Sequence, residues 1–371
     1  MRKLGLIATV PLWVVAPVLA QTETPQPSVA ASETSASAHS TDTEDASTPR
    51  SPWLLVPTIS SNPKIGTSAG LVAGYLFHTD PESTSSMFGV AGTYSTTDSV
   101  VGGVFLRSYW DADSKRLIAG VGGGRIYNDY EDFLGTSAEA ETTDEMKAAF
   151  VRYIQEFSAD WFIGGQATYA NYTTYGDSFN AQQILDTAGL TGIKSGAVGM
   201  VLEYDTRDTQ NTPTSGTHLN VNNLAYREAL GGDHDFDTLN AEFAHYLPHG
   251  DGNVFAWRVF GRATHDAPPS GYSSVELRGY TRGQYLSPNS VSFEAEERWH
   301  LHGRFGINAF AGVTCLFGDG DRCDRSDNLY PAAGVGAQYT IKPEEHMVIS
   351  TDYAVGKDGN NGFYVRLGQA F

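Results

Sequence analysis

The sequence has few cysteines, few charged residues and no basic excess, and each shortage excludes a class of protein. Two cysteines, Cys315 and Cys323, allow at most one intramolecular disulfide and exclude a disulfide-built scaffold. Charged residues make up 18% of the 371 residues, too few for a coiled coil. Lys and Arg number 24 against 43 Asp and Glu. Because so acidic a chain repels a phosphate backbone, we expect no nucleic-acid partner.

The chain also lacks a long apolar run beyond its first twenty residues, so a helical membrane span is excluded. Residues 1–20 have the pattern of a secretory signal peptide, with Arg2 and Lys3 before an apolar stretch and small residues before Gln21. Residues 21–52 are rich in Ser, Thr, Ala, Glu and Pro, and we expect a disordered periplasmic leader. The folded part is then residues 53–371, in an oxidising compartment where Cys315 and Cys323 can pair.

Apolar and polar residues alternate with period two along the folded part, and 40 glycines and 12% aromatic residues accompany the alternation. In residues 291–301, Phe293 and Trp299 fall on one face, whereas Glu294, Glu296 and Arg298 fall on the other. A soluble sandwich gives the same local pattern. Segments of about ten residues, aromatics near their ends and about sixteen such segments favour a membrane barrel instead. The sequence predicts an all-β fold, a transmembrane antiparallel β-barrel of about sixteen strands.

The predicted connections alternate in length, which sets the orientation of the barrel. Short turns lie at one end, and four long loops lie at the other, at residues 128–145, 173–195, 264–290 and 318–331. Short periplasmic turns and long extracellular loops are typical of outer-membrane barrels. An even number of strands places both chain ends in the periplasm.

The last predicted strand, residues 363–371, carries Phe363, Val365 and Leu367 on one face and ends in Gly368 to Phe371. A terminal Phe371 after such a series resembles the signal by which outer-membrane barrels are recognised by their assembly machinery. The alternative is a soluble edge strand that happens to end in Phe. The signal implies that this machinery is a partner during biogenesis.

Two motifs stand out in the folded part. The first lies between predicted strands eight and nine and consists of Tyr204, Asp205, Arg207, Asp208, Pro213 and Gly216. The second is Arg278-Gly279-Tyr280, in the predicted loop 264–290. Together they resemble the periplasmic turn and the inward-folded loop motif of the BamA/TamA superfamily of outer-membrane barrels, also called the bacterial surface antigen family. The resemblance covers residues 53–371. It implies a role in inserting or moving polypeptide or lipid at the outer membrane.

The sequence departs from the family pattern at two places. Family members that insert or translocate proteins carry POTRA domains before the barrel, where this chain has a short leader. The strand after the motif loop usually offers a carboxylate to the loop arginine, but residues 309–313 contain none. Because a lumenal arginine is costly to bury unpaired, we expect Arg278 to pair with Glu294 or Glu296, beside Arg298 on the next strand. The alternative is an exposed loop arginine.

No nucleophile elbow accompanies the histidines, so we expect no enzyme activity and no cofactor. Asp319, Asp321 and Asp324 beside Cys315 and Cys323 suggest a calcium loop, but the ligand series is incomplete, and a solvated acidic loop clipped by a disulfide fits better. We therefore expect no metal site. The function predicted is membrane assembly or transport with polypeptide clients, and the alternative is a passive pore or structural surface antigen. Outer-membrane lipid and lipopolysaccharide are the expected surroundings.

Overall fold

The computed structural model describes residues 51–62, 66–130, 140–188, 191–280 and 285–371. The predicted signal peptide and nearly all of the predicted leader, up to residue 50, lie outside these ranges. Sixteen strands form one closed antiparallel barrel, in which each strand pairs with the next barrel strand along the chain and the last strand pairs with the first. Across the described ranges, no helix combines the length and apolar character needed to cross a bilayer.

The barrel strands are β1 Trp53–Asn62, β2 Gly66–Phe77, β3 Ser86–Ser95, β4 Val100–Trp110, β5 Lys115–Tyr130, β6 Ala140–Ser158, β7 Trp161–Gly176, β8 Gly192–Asp205, β9 Gly216–Tyr226, β10 Phe236–His249, β11 Asn253–His265, β14 Asn289–His302, β15 Phe305–Phe317, β16 Leu329–Lys342, β17 Met347–Gly356 and β18 Asn361–Leu367. Two further strands, β12 Ser273–Ser274 and β13 Leu286–Ser287, pair with each other inside the long β11–β14 connection. Among the described residues there is one α-helix, α1 Phe179–Ala188, which follows β7. Short 3₁₀ turns lie at Glu228–Leu230, Pro269–Gly271, Ser326–Asn328, Pro343–Glu345 and Lys357–Gly359.

The polarity of the barrel is inverted relative to a soluble protein. On β14, Phe293 is 45% exposed and faces outward, whereas Glu294 is 1% exposed and faces the lumen. On β3, Phe88 and Val90 are likewise exposed. An apolar outside suits lipid, and antiparallel pairing around the barrel satisfies the backbone hydrogen bonds that lipid cannot. The predicted fold class, including the number of barrel strands, is confirmed.

The two ends of the barrel differ, and we call them the turn end and the loop end. The turn end holds the start of β1, the end of β18 and short connections such as residues 250–252 and 303–304. The loop end holds α1 and the long β11–β14 connection. The predicted alternation of short and long connections is therefore present.

Several predicted boundaries were wrong at the loop end. The predicted loop 128–145 contains the end of β5, which runs to Tyr130, and the start of β6, which begins at Ala140. The predicted loop 173–195 contains the end of β7, the start of β8 and helix α1. The alternation of apolar and polar residues ends where these hairpins extend beyond the lipid layer, because an outward face in water does not require apolar side chains. The hydrogen-bonded ladder continues past that point.

The seam between the first and last strands differs from the other strand pairs. β1 and β2 pair from Trp53–Tyr75 to Asn62–Gly66, and β17 and β18 pair from Ile349–Leu367 to Val355–Asn361. In the described part of the chain, the β1–β18 register consists of the single pair Ser61–Phe363. The barrel is thus closed at this seam by much less backbone pairing than elsewhere.

A charge placed on the outer wall tests the assignment of that wall to lipid. Val121 is in β5 and is 52% exposed, so Val121→Arg puts a charge against hydrocarbon. We expect the variant to lose about 2–4 kcal/mol of unfolding free energy in lipid vesicles. Denaturant titration of the folded protein in vesicles measures this loss. Phe179→Arg, on the exposed face of α1, is the matched control and should change nothing measurable; equal effects of the two variants would contradict a lipid-facing wall.

Candidate functional site

In the long β11–β14 connection, the described residues from Ser273 to Tyr280 fold into the lumen, as predicted. Its Val275 is fully buried and Leu277 is 2% exposed. The Ser273 hydroxyl donates to the carbonyl oxygens of Arg262 (3.2 Å) and Pro288 (3.1 Å). The apolar side chains of the loop pack against Leu316 and Ala332 on the inner wall. The loop is therefore a packed part of the interior rather than an exposed excursion.

Arg278 lies at the buried tip of this loop and binds three carboxylates. Its Nε and Nη2 donate to Oε1 of Glu294 at 3.0 and 2.8 Å, and Nη2 also donates to Oε2 of Glu296 at 2.6 Å. Its Nη1 donates to Oδ2 of Asp352 at 2.9 Å. The guanidinium also stacks on the ring of Phe310, which lies in the segment where the family pattern has its carboxylate. Three anions around one planar fork offset the desolvation of a buried arginine.

The carboxylates that bind Arg278 are shared with other inward-facing arginines. Oε2 of Glu294 accepts from Nε and Nη2 of Arg258 at 3.0 and 2.8 Å, and Oε1 of Glu296 accepts from Nε of Arg298 at 2.7 Å. Asp352 also accepts from the Asn308 amide at 3.0 Å. The result is a lumenal charge network, which we define as Arg258, Arg278, Glu294, Glu296, Arg298 and Asp352. Sequence reasoning found four of these residues and missed Arg258 and Asp352 as partners, although each alternates with an outward-facing apolar neighbour.

Gly279 and Tyr280 fix the chain on the far side of Arg278. Gly279 has φ +99°, and a Cβ there would meet the backbone of Val355, so the position favours glycine. Its N–H donates to the Tyr364 hydroxyl of β18 at 2.8 Å. The Tyr280 hydroxyl donates to the Pro331 carbonyl and accepts from the Lys357 N–H, at 2.6 and 2.7 Å. The Arg-Gly-Tyr motif therefore joins the loop to β16 and β18.

The second motif builds the β8–β9 turn, which comprises residues 206–215. Asp205 accepts two bonds from Arg207, from Nε at 2.7 Å and Nη2 at 2.9 Å, and a third from Arg116 at 2.6 Å. Gly216 has φ +104°, and a Cβ there would lie 2.2 Å from the Thr206 carbonyl oxygen, so only glycine fits. Tyr204 lies on the outer face against Trp161, with ring centroids 4.9 Å apart.

Asp208 holds the inside of this turn together. Its carboxylate accepts from the N–H groups of Thr209, Thr214 and Ser215 at 3.0 to 3.3 Å, and from the Thr214 hydroxyl. Desolvation acts to raise the pKa of Asp208, but these hydrogen bonds outweigh it and hold the pKa below its usual range. The charged carboxylate is therefore the form that this turn favours.

The β8–β9 turn reaches across the turn end of the barrel and meets the charge network. The Asn211 amide and the Thr212 hydroxyl donate to the carbonyl oxygens of Glu345 (2.8 Å) and His346 (3.0 Å) on the opposite wall. The Pro213 carbonyl accepts from Nη1 of Arg298 at 3.2 Å. Because Arg298 also binds Glu296, a continuous chain of contacts links the turn motif to Arg278. The two motifs, some seventy residues apart in sequence, are therefore connected through Arg298 and Glu296.

The end of the chain departs from the predicted strand 363–371. β18 ends at Leu367, the chain turns at Gly368, and Phe371 lies inside the barrel. The Phe371 ring packs near Tyr246, and the Arg258 guanidinium lies over it, 4.6 Å from the centroid of the Phe371 ring. A Phe371 backbone oxygen accepts from Nη2 of Arg298 at 2.6 Å. The prediction that the last strand runs to Phe371 was therefore wrong. Inside the barrel, the Phe371 ring has cation–π contacts with Arg258 and Arg298.

The acidic loop after β15 is clipped by a disulfide between Cys315 and Cys323. Asp319 accepts from the Tyr272 hydroxyl at 2.6 Å, and this hydrogen bond raises the pKa of Tyr272 to about 12. Within the described ranges, the group whose ligand atoms lie close enough to hold a metal is instead Glu203, Asp205 and His218. Both of its carboxylates bind Arg116, at 2.7 and 2.6 Å, so a cation would compete with a guanidinium there.

No family model and no curated protein sequence matches this chain. Solved structures do match. BamA from Haemophilus ducreyi lacking POTRA domains 1–3 aligns with a TM-score of 0.54 at 12% identity, over 86% of this chain and 70% of that one. CdiB from Escherichia coli aligns with a TM-score of 0.60 at 13% identity, over 86% and 63%. CdiB from Acinetobacter baumannii aligns with a TM-score of 0.57 at 10% identity, over 85% and 59%.

The chain has the fold of the BamA and CdiB barrels. It spans less than two thirds of the length of either CdiB structure. The correspondence of the lumenal-loop and β8–β9 turn motifs to motifs of the BamA/TamA superfamily stays a prediction. Both motifs occupy positions where the backbone or a buried charge leaves little choice of residue.

A double-mutant cycle tests the pairing of Arg278 with Glu296. Arg278→Ala removes the cation from three buried carboxylates, so we expect a loss of about 3–5 kcal/mol of unfolding free energy. Glu296→Ala in that background relieves part of the uncompensated negative charge, so the double variant should lose less than the sum of the single losses, by at least about 1 kcal/mol. Denaturant titration in one detergent or lipid supplies all four free energies.

Arg125→Ala is the control for this cycle. Arg125 pairs with Glu145 at the exposed loop end of the barrel, with side-chain exposures of 56% and 40%. Solvent screens that pair, so its removal should have little effect. Additive losses for Arg278→Ala and Glu296→Ala would show that the two residues are not energetically coupled.

Proposed function

We propose that this protein is an outer-membrane barrel that assists the insertion or translocation of polypeptides, with the β1–β18 seam as the point of entry. The BamA-type fold and the apolar outer wall support the location, and the secretory pattern of residues 1–20 agrees with it. The machinery that assembles barrels would act on this chain during biogenesis, and lipopolysaccharide would surround its loop end.

The sparse pairing at the seam is the observation that carries the proposal. β18 has seven residues, and in the described ranges only Phe363 is paired with β1 in register. Backbone N–H and C=O groups without a ladder partner are a template for an incoming strand. The client that fits this edge is an extended β-strand, such as one from a barrel still being folded.

The lumen-side contacts of β18 explain how so weak a seam can stay closed. Gly279 of the lumenal loop donates to Tyr364 on β18, and Arg366 of β18 lies 3.9 Å from Asp352 in the charge network. β18 is thus held from inside by the loop as well as from the side by β17. We propose that this support lets the seam open without loss of the barrel.

The filled lumen favours this reading over a passive pore. The lumenal loop, the β8–β9 turn and residues 368–371 all occupy the interior or cross the turn end. A wide conducting channel would need these three segments displaced. A structural or pore role is the outcome expected if the reconstituted protein conducts ions steadily and leaves client folding unchanged.

A disulfide across the seam tests the proposal. In a Cys315→Ser/Cys323→Ser background, Ser61→Cys with Phe363→Cys places two cysteines at opposite positions of β1 and β18, a spacing that suits a disulfide. We expect the background protein to accelerate folding of a client barrel into liposomes, and the oxidised seam variant to lose most of that acceleration. Reduction should restore it.

The matched control keeps Phe363→Cys and moves its partner to β17. Tyr353 is the register partner of Phe363 there, so Tyr353→Cys with Phe363→Cys cross-links the same residue across a fully paired strand pair. This control should retain activity when oxidised. The proposal fails if the oxidised seam variant is as active as the control, or if the unlocked protein never accelerates client folding.

A further inference from the structure

A cavity of about 420 Å³ lies inside the barrel, in the size range of small-molecule sites. Its lining includes Met87 on β3, Phe260 on β11, Met347 on β17, Leu367 on β18 and Phe371. The charged residues of this lining are unbalanced: the arginines outnumber the glutamates. They are Arg107, Arg116, Arg152, Arg207, Arg258 and Arg262 against Glu203, Glu242 and Glu276.

Three of these arginines are neutralised by carboxylates already described. Arg116 binds Glu203 and Asp205, Arg207 binds Asp205, and Arg258 binds Glu294. They belong to the turn motif and the lumenal charge network. Their charge is used to hold the fold together.

Arg107 and Arg152 are different, because their polar partners are neutral. Nε and Nη2 of Arg152 donate to the amide oxygen of Gln166 at 3.0 and 2.7 Å. Nε of Arg107 donates to the Tyr109 hydroxyl, and its guanidinium stacks on the Tyr109 ring, 4.9 Å from the centroid. In the part of the chain that the structure describes, no carboxylate lies within ion-pair distance of either one. A half-buried guanidinium with neutral partners keeps N–H donors and a full charge for an anion.

Arg107 and Arg152 lie in one cross-strand row, with a single apolar residue between them. Arg107 is opposite Ile118, and Ile118 is opposite Arg152, so the two arginines are two strands, or about 10 Å, apart along the wall. Phe150 and Ile154 flank Arg152 on the inward face of β6 and also line the cavity. The wall therefore offers two cations beside a continuous apolar surface.

We propose that this wall is a binding site for an amphiphilic anion, meaning a small molecule with a carboxylate or phosphate group and a short hydrocarbon part. The anionic group lies between Arg107 and Arg152, where planar guanidinium forks suit its oxygens. The hydrocarbon part lies on Ile118, Phe150 and Ile154. This site is distinct from the seam and does not depend on the proposed insertion role.

Calorimetry with octanoate tests the site. Full-length protein in a nonionic detergent is titrated with octanoate, with octan-1-ol as a neutral molecule of equal chain length and with inorganic phosphate as an anion without hydrocarbon. Titrations into empty micelles are subtracted. We expect saturable octanoate binding, no saturable octanol binding, and weaker binding of phosphate.

Arg107→Gln/Arg152→Gln is the test variant and should weaken octanoate binding at least about tenfold, since two charge-assisted contacts are lost. Arg125→Gln makes the same kind of charge change at the exposed loop end and should bind octanoate normally. Unchanged octanoate binding in the double variant, or octanol binding equal to that of octanoate, would overturn the site. Phosphate binding as tight as octanoate binding would contradict the proposed contact of the hydrocarbon part with Ile118, Phe150 and Ile154. If the double variant does not fold, the comparison of octanoate with octanol on the wild-type protein decides.

Discussion

The buried guanidinium of Arg278 is the constraint on which the interior of this barrel depends. A cation inside a lumen loses much of its hydration, so carboxylates must surround it, and these come from β14 and β17. Each carboxylate must point into the lumen. Because successive side chains on a strand alternate between the two faces, this fixes which residues of β14 and β17 face lipid. The position of the loop, the phase of the neighbouring strands and the place of Arg298 all follow from one charge.

The same network connects regions that would act together in a membrane-assembly protein. Arg298 of the network hydrogen-bonds the β8–β9 turn and Phe371 at the turn end. Gly279, the neighbour of Arg278, hydrogen-bonds Tyr364 on β18. The last strand is thereby supported from the lumen beside a seam that has little backbone pairing of its own. Under the proposed function, this support would let one wall open while the rest stays rigid, as acceptance of a client strand requires.

The sequence was sufficient for features that depend on local period or on a single special residue. Period-two alternation gave the barrel and its strand number, and Arg278 could be matched to Glu294 and Glu296 because an inward carboxylate was needed nearby. Asp352 was missed because its approach depends on how the closed barrel brings β17 towards the loop. Helix α1 and the long β5–β6 hairpin were missed because both lie beyond the lipid layer, where the outward face meets water and apolar and polar residues no longer alternate. The inward turn of residues 368–371 depends on Arg298 and Tyr246, which no local pattern near Phe371 reveals.

Accessibility of the lumenal loop tests the central claim most directly. Val275 is fully buried beside the network, so a cysteine there reports whether the loop is held inside. Labelling of Val275→Cys by a membrane-impermeant maleimide should be slow in the otherwise unchanged protein and fast once Arg278→Ala is added. Phe179→Cys, at an 82% exposed position, should label quickly in both backgrounds. Equal labelling of Val275→Cys with and without Arg278 would contradict the account, because the charge network would then not be what holds the loop.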